Sequence, residues 1–299
     1  IFSSRLTLSG SAGYAYSDQK PKFRLGASVF LDAARKWKIG ADGYKGIDHI
    51  PDEGYYPSSV IALASVLNKI DYRDYYYVRG WRAFVEAKPL SRLSLRMEYK
   101  NEDEATAVKV TDFSIFEKNK LFRLNPPIQD GTMRSLNFSM HYGDEPVPFG
   151  LVVSNFAELE IEHSNPNFLS SSYDFTRAMV RGEARINTYS SRLLFPPTLN
   201  IKLAAGIATE SVPPQRIFSL ESRYDGIGPL GVLRGGGVKE FSGQRFVTFT
   251  IEHNFRSTPF LMLNIPYLYR NSIEVTLYGT AAQTWTSKAL PFGVSTNGW

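Results

Sequence analysis

Hydrophobic and polar residues alternate with a period of two along long stretches of this chain. Two neighbouring segments, 156–163 and 174–188, place apolar residues on one face and charged residues on the other. The charged positions include three glutamates and three arginines: Glu158, Glu160, Glu162, Arg177, Arg181 and Arg185. Successive side chains of a β-strand point to opposite faces of the sheet, so this pattern predicts strands with one apolar and one charged face.

Alternation of this kind recurs along the chain, and we interpret about twelve segments as strands. These segments lie near 4–16, 21–34, 36–46, 72–87, 91–101, 132–143, 154–163, 173–188, 199–209, 215–223, 244–256 and 272–285. Soluble strands usually have about five or six residues, whereas a tilted membrane-spanning strand needs about 9 to 11. Most of the predicted strands belong to the longer class.

Tyrosine and tryptophan gather near the ends of these segments, as they do in the aromatic girdles of membrane barrels. Examples are Tyr14, Trp37, Trp81, Tyr142 and Trp285. A large soluble β-sandwich or propeller is the alternative fold. The charges cluster on the polar faces while the apolar faces stay free of them, which favours a membrane wall. The predicted fold class is therefore all-β, a transmembrane antiparallel β-barrel.

The connections between the predicted strands differ in length. The turn at 17–20 is short, whereas 47–71, 102–131 and 224–243 are long. Outer-membrane barrels have short periplasmic turns and long extracellular loops, and we expect that asymmetry here. The stretch 58–70 has helical spacing, but we interpret it as a loop that packs on itself.

Composition excludes several other classes of protein. The 299 residues include no cysteine, which excludes a disulfide-stapled domain, and 14% aromatic residues, which are too many for a disordered chain. The longest apolar run, 60–67, is too short for a membrane-spanning helix. The net charge of +5 comes from basic residues interleaved with acidic ones, so we expect no nucleic-acid partner. The chain begins at Ile1 without methionine and ends at Trp299 soon after a predicted strand. We therefore expect one barrel domain over 1–299, truncated at both ends.

Signals for catalysis are weak. The four histidines lie far apart and there is no thiol, so we expect no metal and no cofactor. Neither a G-x-S-x-G elbow nor a phosphate-binding loop occurs, and we expect no enzymatic activity. One alternative stays open, because Ser139 and His141 share a polar face and would suit a barrel-embedded lipid hydrolase.

The segment 228–256 joins a Gly-rich loop to a strand that presents Glu252 on its polar face. It resembles the C-terminal barrel of the outer-membrane protein assembly factor superfamily, also called the bacterial surface antigen barrels. In that superfamily a long loop folds into the lumen, and an arginine in a Val/Ile-Arg-Gly-Phe/Tyr tip pairs with acids on the inner wall. Leu233, Arg234 and Gly235 match the first three tip positions, whereas Gly236 replaces the aromatic residue.

Further positions refine this resemblance. Glu252 matches the acidic position of the next strand, while Thr280 stands where the superfamily often has a second acid. The segments 251–255 and 264–268 resemble a Bacteroidota branch of uncharacterised barrels. Those barrels usually follow a periplasmic domain that is similar to a carboxypeptidase-regulatory domain. The superfamily barrel has 16 strands, so the resemblance implies that about four strands are absent from this chain.

The resemblance implies a location and a function. The protein would lie in the bacterial outer membrane, surrounded by lipid and lipopolysaccharide. It would insert other outer-membrane proteins or move chains to the surface, by opening a strand seam and thinning the membrane rather than by covalent chemistry. The alternative is a passive structural or transport barrel, as a subunit of a larger envelope complex.

Two sets of residues are the candidate sites. The first is a lumenal loop lock made of Arg234, Gly235 and Glu252, in which the charge pair would hold the loop as an internal plug. The second is a lumenal charge wall, in which Arg177, Arg181 and Arg185 would face Glu158, Glu160 and Glu162 across the lumen. The polar strand faces equally allow a wall whose charges are satisfied by water and by their neighbours.

Overall fold

Eleven long antiparallel strands form one continuous sheet. The computed structural model describes residues 5–15, 18–52, 54, 56–110, 112–144, 155–189, 196–223 and 232–286. The first nine wall strands are β1 (Leu6–Ala15), β2 (Lys20–Phe30), β3 (Trp37–His49), β4 (Tyr75–Leu90), β5 (Leu93–Thr106), β6 (Gly131–Gly143), β7 (Phe156–Ser164), β8 (Phe175–Asn187) and β9 (Thr198–Ala208). Four two-residue strands follow in the next connection: β10 (Phe218–Ser219), β11 (Ser222–Arg223), β12 (Leu233–Arg234) and β13 (Ser242–Gly243). The last two wall strands are β14 (Arg245–Arg256) and β15 (Val275–Trp285).

The wall strands follow one another in chain order, and β14 pairs directly with β9. Within the described residues β1 pairs only with β2, and β15 pairs only with β14. Four short helices lie in the connections: α1 (Ser58–Asn68), α2 (Pro166–Leu169), α3 (Thr258–Met262) and α4 (Pro266–Arg270). Among the described residues, no helix combines the length and the apolar character needed to cross a membrane.

The two faces of the sheet have opposite chemistry. On one face large apolar side chains are exposed, such as Leu25 at 65% and Met97 at 53%. The other face holds buried charged groups, such as Glu102 and Arg177. A water-soluble domain has the reverse distribution, whereas a wall between lipid and a polar lumen requires this one. We call the apolar side the lipid-facing face and the charged side the lumenal face.

The strand register aligns the apolar positions into continuous rows on the lipid-facing face. One such row runs across six strands through Val29, Ile39, Val85, Met97, Phe138 and Ile161. Because side chains alternate along a strand, a slip of one residue would turn the neighbouring charges toward lipid. The alternation in the sequence therefore determines which face each side chain takes, whereas the pairing partners follow from the folded sheet.

Long connections leave the sheet at one end, at residues 50–74, 107–130 and 209–244, but the short turn between β1 and β2 lies at that same end. The predicted asymmetry therefore holds only in part. At the opposite end the chain turns tightly at 91–92, and a longer connection occurs at 257–274. We call these the long-connection end and the short-connection end.

Two predictions about local structure were wrong. The segment 58–70 contains a helix, α1, which ends at Lys69 in the left-handed conformation with φ 54°. The buried Lys69 Nζ stabilises that end by donating to Asp112 Oδ2 at 2.9 Å and to the carbonyl of Lys120 at 2.7 Å. The segment 215–223 is not a wall strand, because it folds into the connection between β9 and β14. The wall of the described part therefore has eleven strands rather than twelve.

The main apolar core lies between that connection and the lumenal face. The connection contributes Val212, Ile217, Phe218 and Leu220, and the residues they meet include Met133, Phe175, Met179, Ala204 and Phe246. Phe218 and Phe246 pack with their ring centroids 4.9 Å apart. A Cβ atom at Gly206 would lie 2.7 Å from Phe218 Cζ and 2.5 Å from Phe246 Cε1. The absence of a side chain at Gly206 allows both rings to reach the wall.

We expect Gly206→Val to lower the free energy of unfolding by about 1–3 kcal/mol, because the new side chain overpacks two buried rings. Urea unfolding in detergent micelles, followed by the heat-dependent mobility of the folded protein on gels, measures this change. Gly46→Val is the matched control, since a Cβ atom at Gly46 would meet nothing within 4 Å. Equal unfolding midpoints for the two variants would contradict the packing argument.

Candidate functional site

The connection between β9 and β14 folds back onto the lumenal face of the sheet. Pro213 precedes a 3₁₀ turn, Pro214–Arg216, and Pro214 suits the start of a helical turn because its φ is already restricted. Gln215 and Arg216 of this turn are 0% and 3% exposed. The expectation of a long loop folded into the lumen is confirmed, and the tip of that loop is this turn.

Arg216 is the centre of a buried polar cluster. Its Nε donates to both carboxylate oxygens of Glu162, at 3.3 and 3.1 Å, and its Nη2 donates to Glu104 Oε1 at 2.5 Å. Its Nη1 donates to Tyr76 Oη at 2.8 Å. These acceptors lie on β7, β5 and β4. One guanidinium therefore joins three wall strands to the loop, and we call this group the Arg216 cluster.

The electrostatics of the cluster keep Arg216 charged. Burial by itself would lower the pKa of Arg216, because it penalises the charged form. The carboxylates of Glu104 and Glu162 outweigh burial and raise the pKa of Arg216 well above its ordinary value. Buried ionic groups of this kind are tolerated only when their partners and hydrogen bonds are complete.

Gln215 extends the cluster toward the connection between β5 and β6. Its Nε2 donates to Glu104 Oε2 at 2.9 Å and to the carbonyl of Gln129 at 3.0 Å. Tyr173 Oη donates to the same carbonyl at 2.6 Å. Burial raises the pKa of Tyr173 to about 12, with a further contribution from the charge of Glu104, so the phenol remains a donor. The loop tip is thus hydrogen-bonded on both sides of Arg216.

The predicted charge wall forms, but between neighbouring strands rather than across the lumen. Strands β7 and β8 pair so that Glu162 lies opposite Arg177 and Glu158 lies opposite Arg181. Arg177 approaches Glu162 at 3.9 Å and Glu160 at 4.0 Å. Arg181 Nε donates to Glu158.

The sequence could not show that these two strands are adjacent in this register, and we therefore placed the acids and arginines on opposite sides of the lumen. The third predicted arginine, Arg185, accompanies them on β8, and its backbone N–H donates to Asn155 Oδ1 at 2.7 Å. Within the described part of the chain its side chain forms no ion pair with Glu158, Glu160 or Glu162.

The residues of the predicted loop lock lie close together in the fold but do not pair. Arg234 is exposed and lies over the ring of Tyr278, with its guanidinium carbon 4.0 Å from the ring centroid. Glu252 lies opposite Tyr278 on β14 and accepts a hydrogen bond from Asn200 Nδ2 at 3.2 Å. No ion pair joins Arg234 to Glu252 among the described residues. Gly235 has a φ of +102°, a conformation that favours glycine.

A local cause accounts for this difference from the expectation. Leu233 and Arg234 pair in parallel with Ser222 and Arg223 within the loop, and the strand β12 contacts β15. Residues 224–231, which include the first part of the Gly-rich segment, lie outside the described residues.

Sequence reasoning missed Arg216, which occupies the position that we predicted for Arg234. The alternation in 215–223 predicted a strand. An arginine on the polar face of a strand is not by itself a signal of a functional site, so Arg216 was not predicted. The signal that could have identified it is the Pro213-Pro214 pair immediately before it, since proline disfavours a central strand.

Ser139 and His141 lie on the lumenal face of β6, as expected, but no hydrogen bond joins them. His141 Nδ1 is 2.8 Å from Glu158 Oε1, and its Nε2 is buried without a partner among the described residues. A Ser–His–acid arrangement would need the serine at that Nε2.

A cavity of about 380 Å³ lies beside the Arg216 cluster and is open to the lumen. Its lining is charged and includes Lys100, Glu160, Arg177 and Arg181. Among the described residues, no group of three or more His, Asp or Glu side chains has the geometry of a metal site. The lining carries five acidic side chains and six arginine or lysine side chains, so the charges of this cavity are nearly balanced.

A second set of contacts holds the loop at the long-connection end. Asp52 pairs with Arg73 at 3.3 Å and with Lys239 of the loop at 3.5 Å. Burial raises the pKa of Asp52, but the positive charges of Lys239, His49 and Arg73 outweigh it and hold the pKa below its ordinary value. Asp52 therefore joins the β3–β4 connection to the loop while it is ionised.

Comparison with solved structures identifies a similar fold. The chain is similar to BamA from Haemophilus ducreyi, in the crystal structure of a form that lacks POTRA domains 1–3, with a TM-score of 0.53 and 12% sequence identity. The likeness covers 95% of this chain and 58% of that chain, so this chain spans less than two thirds of the length of BamA. No protein-family model matches the chain, and no curated protein matches it. The likeness shows the fold, that of the BamA β-barrel.

We expect Arg216→Gln to lower the free energy of unfolding by about 3–5 kcal/mol, because it leaves the buried Glu104 without its cation and Glu162 with only the longer contact to Arg177. Urea unfolding in micelles measures the change. Arg234→Gln is the matched control. It removes an exposed cation–π contact that contributes about 0.5–1 kcal/mol. A larger effect of Arg234→Gln than of Arg216→Gln would restore the lock that the sequence predicted.

A second substitution tests whether an unpaired buried carboxylate causes the loss of stability in Arg216→Gln. Adding Glu104→Gln to Arg216→Gln removes the buried carboxylate that has no other ion pair among the described residues. We expect the double variant to be more stable than Arg216→Gln alone, whereas simple loss of packing would make the two effects add.

We expect Asp52→Asn to destabilise the protein near neutral pH and to have little effect in acid. The pKa of Asp52 is depressed in the folded state, so its contribution is complete above the unfolded value of about 3.9. That contribution is lost as the pH falls through the lower folded pKa. Thermal unfolding midpoints of the parent and the variant, near neutral pH and at a pH below the folded pKa of Asp52, measure this contribution. Glu117→Gln, at an exposed position, is the matched control. A pH-independent effect of Asp52→Asn would contradict the charge argument.

Proposed function

We propose that this protein is an outer-membrane β-barrel of the assembly-factor type that acts without covalent chemistry on other polypeptides. It would insert client proteins into the membrane or move chains to the surface. Its surroundings would be outer-membrane lipid and lipopolysaccharide, and its partners would be client outer-membrane proteins or other subunits of an envelope complex. We also propose that it belongs to the Bacteroidota branch that its 251–268 segment resembles.

The observation that carries this proposal is the Arg216 cluster. The resemblance to the assembly-factor superfamily predicts a long loop in the lumen, held by an arginine that pairs with acids on the wall. Arg216 pairs with Glu104 and Glu162 in this way, on a wall that has the BamA fold. The pairing uses a different arginine from the one that the motif indicated, but the physical arrangement is the same.

The cluster also has a mechanical consequence that suits work on polypeptides. A barrel that opens between strands loses backbone hydrogen bonds at the seam, and its remaining strands need another source of cohesion. Arg216 joins β4, β5 and β7 through side chains alone, so these strands stay together independently of the sheet edges. A client strand could then add to an edge by β-augmentation while the wall keeps its shape.

A folding assay tests the proposal. The protein is reconstituted in lipid vesicles, a urea-denatured outer-membrane barrel is diluted into them, and its folding is followed by heat-dependent gel mobility. We expect faster client folding than in vesicles that hold an unrelated barrel. Arg216→Gln should lose most of this acceleration per folded molecule, and Arg234→Gln should retain it. Client folding no faster than with the unrelated barrel would contradict the proposal.

A passive structural or transport barrel is the second candidate, and the charged cavity of about 380 Å³ beside Arg216 favours it. This candidate predicts a steady ion conductance in planar bilayers and no effect on client folding. A lipid hydrolase based on Ser139 and His141 would instead release fatty acid from vesicles and lose that activity in His141→Ala. In the structure His141 Nδ1 contacts Glu158 Oε1 rather than Ser139.

A further inference from the structure

The connection between β14 and β15 exposes a dense set of apolar side chains at the short-connection end. It contains the short helices α3 and α4, which pack against each other. Its most exposed apolar residues are Leu261 at 57%, Met262 at 81%, Leu263 at 68% and Tyr267 at 73%. These four side chains lie within seven residues, and none of them is buried against the wall. They form an exposed apolar patch, which is typical of a site that contacts a protein or a membrane. We call residues 257–273 the collar segment.

The collar segment holds its own shape through local polar contacts. Ser257 Oγ donates to the carbonyl of Ile273 at 2.8 Å, which closes the segment at its base. Just outside it, Arg256 Nη1 pairs with Glu274 Oε1 at 3.0 Å. The backbone N–H of Ile265 donates to the carbonyl of Phe260 at 2.9 Å. The apolar side chains are therefore presented outward by a defined scaffold.

The composition of the collar segment suits one environment. It contains no acidic residue, one basic residue, Arg270, and two tyrosines, Tyr267 and Tyr269. Tyrosine and basic residues are favoured at the boundary between lipid headgroups and acyl chains, where one end of the side chain is apolar and the other is polar.

The position of the collar segment continues the lipid-facing face. It joins the ends of β14 and β15, whose outward side chains include Phe249 at 42%, Ile251 at 38% and Leu277 at 62% exposed. Ile273, exposed at 40%, is the last residue of the segment and precedes β15. Apolar side chains are therefore exposed both on the outward face of β14 and β15 and on the collar segment that joins them.

We propose that the collar segment is a membrane-interface anchor, which lies in the lipid headgroup boundary of the leaflet at the short-connection end. Its apolar residues would enter the outer part of the acyl layer while Arg270 and the tyrosine hydroxyls stay among the headgroups. The collar would fix the depth of β14 and β15 in the membrane. This proposal rests on the membrane-barrel fold and does not depend on action upon polypeptides.

Spin labelling tests the proposal directly, because the chain has no cysteine and each introduced thiol is unique. Met262→Cys carries a nitroxide in the full chain, folded into vesicles of phosphatidylethanolamine and phosphatidylglycerol. Collision rates are measured with oxygen, which partitions into lipid, and with a water-soluble nickel chelate. Leu277→Cys on β15 is the lipid control. Leu121→Cys, which is 80% exposed at the long-connection end, is the water control.

We expect the oxygen-to-nickel ratio at Met262 to be close to that at Leu277 and several-fold above that at Leu121. A ratio equal to that at Leu121 would overturn the proposal by placing the segment in water. An immobilised label that neither reagent reaches would also overturn it, because a second copy or another polypeptide would then cover the segment. Tyr267→Cys repeats the measurement if the first variant fails to fold, and the client-folding assay has no bearing on either result.

Discussion

The rest of the structure depends on the pairing of one buried guanidinium with two buried carboxylates. Glu104 and Glu162 lie on the lumenal face of β5 and β7, and both side chains are buried. Neither carboxylate would be tolerated there without a cation, and Arg216 reaches both only if the β9–β14 connection folds into the lumen. The position of the loop is therefore set by the charges of the wall.

This constraint matters because the wall has little apolar core of its own. The apolar residues of the wall face outward and its inner residues are largely polar. The burial of apolar side chains inside the wall therefore contributes little to its stability. The loop supplies the missing core, since Phe218 and its neighbours pack against Phe246 and Phe175. The Arg216 cluster positions that packing, and the Asp52 contacts with Arg73 and Lys239 hold the loop from the long-connection end.

Prediction from the sequence succeeded where the physics is local or periodic. The alternation identified all eleven wall strands, the lumenal side of Arg177 and Glu162, and the long loop, because a charged face and a lipid face leave the strand only one orientation. Prediction failed at 58–70, which contains a helix, and at 215–223, which lies in a connection, because the apolar pattern of such short segments fits more than one structure. We assigned the loop lock to Arg234 because residues 233–235 resemble the tip motif of the superfamily. In the structure Arg234 contacts Tyr278 instead, because β12 pairs with β11 within the loop.

The sequence by itself indicated the class of this protein, because long alternating strands with charges on one face favour a wall between lipid and a polar interior over a soluble β-sandwich. The tertiary structure decided which charges meet. Glu104, Glu162 and Arg216 are separated by many residues along the chain, and no spacing in the sequence relates them. Their pairing follows from strand order, register and the path of one loop, since electrostatic contacts in a barrel form between residues that only the folded sheet brings together.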